Sequence, residues 1–126
     1  MKKEIIAILL LALLFFGSIY NIRVIENIVS TLEDEVSSSY TAMQNGDFDT
    51  AHKLINEAVT DWLSRDGYTH IFIRHAEINA TNDAFFDYIS DICAGDAGSA
   101  EGSFGHLIAQ LDSLKTMEEI SLGSIL

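Results

Sequence analysis

Residues 45–67 read "NGDFDTAHKLINEAVTDWLSRDG", and the fold turns on how this stretch is understood. Gly46 suits the left-handed residue that follows a helix, and Asp47 suits the N-cap of the next one. Beyond them Ala51, Leu54, Ile55, Ala58, Val59, Trp62 and Leu63 recur at intervals of three and four, a wide apolar stripe that other helices must cover. The "RDG" at 65–67 closes the segment, with Gly67 expected at the turn. Upstream, Ile22, Ile25, Val29, Leu32, Val36 and Met43 keep the same spacing, so the chain enters the turn from an amphipathic helix. Downstream, a helix is expected from about residue 69 to 93, a turn at Gly95 and Asp96, and a last helix carrying Phe104, Leu107, Ile108, Leu111 and Leu114 on one face. The sequence contains no proline. The fold class expected is all-α, a transmembrane helix followed by a small bundle of about four helices.

"GDFDTA" at 46–51 and "GDAGSA" at 95–100 share Gly-Asp, a hydroxyl residue and alanine at the same spacing. Each opens the second member of a helix pair, which predicts two antiparallel helical hairpins folded together. The pattern is faintly tetratricopeptide-like, but the tryptophan-leucine-glycine part is missing and two pairs fall short of a solenoid.

The N-terminus is different in kind. After "MKKE", residues 5–20 read "IIAILLLALLFFGSIY", sixteen positions without a charge. As a helix they span about 24 Å, a little short of a bilayer core of about 30 Å, and counting on to Ile25 completes the crossing. Tyr20 then falls at the interface and Arg23 can snorkel. The division expected is therefore residues 1–25 as cytoplasmic tip and anchor, contacting the membrane through 5–25, and 26–126 as an acidic helical domain. The alternative is a cleaved signal peptide and a secreted domain, but a cut after Gly17 or Ser18 would put Phe15 or Phe16 where a small residue belongs. Two lysines before the run and one arginine after it place the N-terminus in the cytoplasm and the domain outside.

The formal charge is −12. From Val24 onward eighteen acids face only Lys53, Arg65, Arg74 and Lys115, a balance of −14. Such a surface repels phosphate backbones and has no basic stripe, which excludes nucleic acid as a partner. With Cys93 alone, neither an intramolecular disulfide nor a cysteine-based zinc cluster can form.

"FIRHAEIN" at 72–79 sets His75 and Glu77 two apart among apolar residues. On one continuous helix, His75 and Asn82 fall inside the apolar face with Ile71, Ile78, Phe85, Ile89 and Ile92, while Glu77 lies about 160° away from His75. The two cannot converge on one metal, whose ligands must all approach within about 2 Å. His75 and Asn82 are thus expected as a structural polar core, hydrogen-bonded across the bundle. A ligand pocket lined by His75, Asn82 and Trp62 is the sharper alternative. Asp83, Asp87 and Asp91 form a like-charged column, read as a solvated face. No catalytic constellation, metal set or cofactor motif is legible.

The order of anchor, "NGDFDTAHKLINEAVTDW", "HIFIRHAEIN" and terminal "ISLGSIL" resembles the bacterial domain of unknown function 4363 family. Its Phe-Ile-x-His-x-Glu-Ile core is matched by Phe72, Ile73, His75, Glu77 and Ile78. Its ending, close to Leu-Ser-x-x-Asn-Ile-Leu, is met with Ser124 in place of the asparagine. The resemblance implies a short membrane-anchored helical protein without an established activity, and it supplies no catalytic residue.

The function expected is a single-pass, membrane-anchored interaction or scaffolding module that binds a protein partner or itself, rather than an enzyme. A ligand or metal sensor with its pocket near His75 is the alternative from a different class.

Overall fold

The computed structural model describes the backbone of residues 1–125, and their side chains except at 72 and 118–125. The described residues form five helices and no strand: α1 (Lys2–Gln44), α2 (Phe48–Ser64), α3 (Asp66–Phe72), α4 (His75–Cys93) and α5 (Ala97–Ile125).

The two Gly-Asp turns have the same construction. Gly46 and Gly95 take φ of +80° and +68°, where a side chain would be strained. Asp47 then accepts the Thr50 amide at 3.1 Å and the Thr50 hydroxyl at 2.6 Å. Asp96 accepts the Ser99 amide at 3.1 Å and the Ser99 hydroxyl at 2.8 Å. Those bonds satisfy donors orphaned at the helix start and hold both carboxyls below their ordinary range. The alanines that close the repeat, Ala51 and Ala100, are fully buried, so each turn delivers a small residue to the core.

The turn between α2 and α3 is built differently from the expectation. Arg65 makes it, and Gly67 lies inside the first turn of α3 without a positive φ. A larger departure follows at Ile73 and Arg74, which are extended (ψ of 140° and 142°) and divide the expected third helix into α3 and α4. No proline or glycine marks this break. The residues before it, from Tyr68 to Ile73, are mostly aromatic or β-branched and favour a helix only weakly. Two extended residues reset the helical phase, so an angle counted from Ile71 no longer applies to His75. Ile71 is 75% exposed, Ile73 is buried, and His75 lies on the surface. From Ile78 onward the new phase is regular, burying Ile78, Thr81, Ala84, Phe85, Tyr88 and Ile92.

The helices share one core, with α1 packed against α2 and α5, and α4 against α5 and α2. Ile25, Ile28, Val29, Leu32, Val36 and Met43 form the column supplied by α1. Facing it are Ile55, Ala58 and Trp62 of α2 and Leu107, Leu111 and Leu114 of α5. Tyr40 and Phe104 stack with ring centroids 4.0 Å apart, which fastens α1 to α5. Below this column α1 continues bare. Most of its apolar residues from Ile5 to Tyr20 are exposed, and α1 is a described helix long and apolar enough to cross a membrane.

Candidate functional site

Three groups of polar side chains interrupt the core or its edges. The first ties three helices together. The Ser39 hydroxyl of α1 donates to the Ala51 carbonyl of α2 at 2.7 Å, and it lies 3.1 Å from the Tyr88 hydroxyl of α4. Because the Ser39 proton is committed to Ala51, Tyr88 donates and Ser39 accepts. Ser39 and Tyr88 are both fully buried, and burial pushes the Tyr88 phenol upward, so it stays a neutral donor.

The second group contains two of the residues singled out from the sequence. The Trp62 indole N–H donates to Asn82 Oδ1 at 2.7 Å, and Trp62 stacks near Phe85 with centroids 6.5 Å apart. Asn82 is thus the polar partner that lets a tryptophan enter the core, in keeping with the cost of an unpaired indole N–H. His75 is not with them. It sits edge-on to His70, with ring centroids 5.4 Å apart, and His70 is paired with Asp66 at 2.7 Å. The expectation of His75 as a buried cross-bundle donor is corrected by the break at Ile73, which turns it outward. Glu77, expected on the solvated side, instead accepts from Gln110 Nε2 at 3.0 Å across the α4 and α5 contact. Asp91 likewise accepts the Ser103 hydroxyl at 2.7 Å, while Asp83 and Asp87 remain exposed.

The third group went unread in the sequence. Glu33 and Glu35 flank the core column of α1 on opposite sides. Glu33 meets the Asp112 carboxyl of α5, and Glu35 meets Asp61 of α2. Burial, then the hydrogen bond and charge of Asp112, push the Glu33 carboxyl up to about 7, with Lys115 pulling the other way. Burial and Asp61 raise Glu35 too, opposed by Arg65, which reaches Asp61 at 3.4 Å. One oxygen of each glutamate is sealed from water without a donor, a position in which the protonated form is favoured. The signal available beforehand was that Glu33 and Asp112 each adjoin a core leucine, Leu32 and Leu111, at the edge of an apolar stripe.

The Glu33 and Asp112 pair can take up a proton near neutrality, and neither pair holds a nucleophile. Among the described residues, no three His, Cys, Asp or Glu side chains converge as a metal set. The outer face of α2 carries His52, Lys53, Asn56, Glu57, Thr60 and Asp61 as a polar surface open to solvent.

Residues 19–125 match the family described as Domain of unknown function (DUF4363). The chain belongs to this family. The match takes in the whole helical domain of this DUF4363 protein and leaves most of the bare apolar segment of α1 outside it. No curated protein matches the chain, and no solved structure does.

Proposed function

We propose that this DUF4363 protein is a single-pass membrane protein whose acidic helical domain stands outside the cytoplasm and docks a protein partner or a second copy of itself, without catalysing a reaction. The observation that carries this reading is the dual use of α1. One unbroken helix of 43 residues supplies both the bare apolar segment and the central column of the bundle. The domain is therefore held at a fixed height and bearing, which suits presentation of a surface and adds nothing to turnover. The outer face of α2 offers such a surface, with charges of both signs from Lys53, Glu57 and Asp61. Orientation follows from Lys2 and Lys3 preceding the apolar run.

The test is photo-crosslinking from position 60 of the full-length chain in its native membrane, together with its oligomeric state in detergent. Crosslinks that vanish when Lys53 and Glu57 are charge-reversed support docking through α2. A monomer that crosslinks to nothing removes the docking reading, and a domain recovered whole in the soluble fraction removes the anchor.

A further inference from the structure

The bare segment of α1 is shorter than a bilayer is thick. Its sixteen residues, 5–20, span about 24 Å against a hydrocarbon core of about 30 Å. A flexible spacer would hide this shortfall, but none exists. Asn21 and Ile22 are already partly covered and Ile25 is 1% exposed, so the bundle closes on α1 within a turn of the apolar segment.

What closes there is α3. The Tyr68 hydroxyl donates to Asn21 Oδ1, which pins α3 level with the end of the bare segment. One turn beyond Tyr68, Ile71 presents a side chain 75% exposed, and Leu63, in the last turn of α2, is 49% exposed. Tyr20 is 70% exposed at the same level on α1. The described chain leaves these apolar groups about half or more exposed.

Charge runs the same way. Of the five bases that follow the apolar run, Arg23, Arg65 and Arg74 lie in or beside this end, with His70 and His75 between them. The described acids at this end are Glu26, Asp61, Asp66 and Glu77, of which Asp61, Asp66 and Glu77 are held by Arg65, His70 and Gln110. At the opposite end the turns carry Asp47, Asp49, Asp96 and Glu101 and no base. On a chain of net charge −12, the end bearing α3 is the part of the surface that anionic headgroups repel least.

We propose that α3 and the turns on either side of it seat in the headgroup layer of the bilayer that α1 crosses, with Ile71 inserted toward the acyl chains and Arg65 and Arg74 among the phosphates. The domain then sinks by the few ångströms that the span lacks, and it has two points of membrane contact in place of one. This proposal rests on the reading of α1 as a membrane span.

The experiment keeps the two claims apart. Full-length chains lacking the native thiol (Cys93→Ser) receive one cysteine each, Leu10→Cys, Ile71→Cys or Asp49→Cys. Each is labelled with an environment-sensitive fluorophore and reconstituted in vesicles of phosphatidylcholine and phosphatidylglycerol with lipid-borne quenchers at shallow and deep positions. The label at 10 is expected to be quenched from the deep position, the label at 71 from the shallow one with a blue shift, and the label at 49 from neither. If the label at 10 escapes quenching, the span itself is wrong. If 10 is quenched while 71 behaves like 49, the span stands and seating of α3 is overturned. A blue-shifted label at 71 that no lipid quencher reaches also overturns it, and assigns Ile71 to a contact between protein chains.

Discussion

Replacing Glu33 with glutamine should stabilise the bundle at pH 8 and do so by much less at pH 5. Glu33 rises from 4.5 to about 7 in the folded chain because burial and Asp112 disfavour its charge. Between those two values the folded chain keeps a proton that the unfolded chain releases. Stability therefore falls as pH rises through this window, and the full cost is present above about 7. At about 1.36 kcal/mol per pH unit the interval amounts to about 3.4 kcal/mol. Glu33 is only part-buried, and solvent screening brings the usable figure to about 1–2 kcal/mol. Glutamine keeps the shape, cannot ionise, and can donate its amide to Asp112. For a domain of this size 1 kcal/mol moves the midpoint by about 4–8 °C, so Tm at pH 8 should rise by roughly 4–16 °C. The fluorescence of Trp62, the single tryptophan, which is 2% exposed, reports bundle unfolding without interference from the bare apolar segment in detergent. Glu35 is raised in the same direction but is present in both proteins, and it cancels in the comparison. Melting curves of the two proteins that shift in parallel between pH 5 and pH 8 would refute the reasoning.

Three further outcomes are expected. Asn82→Ala leaves the Trp62 indole N–H buried without an acceptor and should cost about 1–3 kcal/mol in a urea titration, while Asn82→Asp, which restores the acceptor, should recover most of it. Tyr88→Phe should cost about 1 kcal/mol because Ser39 keeps its bond to Ala51, whereas Ser39→Ala removes the second bond to the Ala51 carbonyl and leaves the buried Tyr88 hydroxyl without its acceptor, and should cost more. The opposite ranking in denaturant would show that the network is not arranged this way. His75→Ala should change stability by no more than about 0.5 kcal/mol, as expected of an exposed side chain away from any buried bond, and a larger loss by thermal melting would count against its outward position.

What could be read from the residues followed from how local the cause was. Gly46 with Asp47 and Gly95 with Asp96 are turns whose geometry is decided within four residues, and the sequence carries that information directly. The column from Ile25 to Met43 is a periodicity, which is equally local. The break at Ile73 is not. No residue there forbids a helix, and the local preference is too weak to fix a boundary, so packing of α4 decides it. That single boundary moved His75 from core to surface. The carboxyl pairs were hidden for a related reason. Each joins residues on different helices, Glu33 with Asp112 and Glu35 with Asp61, and an acid beside an apolar stripe looks like ordinary solvated charge until its neighbour is known. The Trp62 and Asn82 bond lay between. Both residues stood out as polar tips within apolar stripes, and only their pairing required the structure.

The continuity of α1 also makes the domain a lever. From Asn21 to Gln44 the helix adds about 36 Å above the bare segment without a hinge, stiffened along its length by the helices packed on it. Transmembrane helices tilt by about 20° on average to match bilayer thickness. A tilt of that size carries the turn at Gly46 sideways by about 12 Å, a distance comparable to the diameter of a helix. On the anchoring proposed above, a bilayer thinner than the bare segment is long tilts α1 and relocates the far end of the domain with no change in its internal packing, and a lateral pull at that end is delivered as torque on residues 5–20.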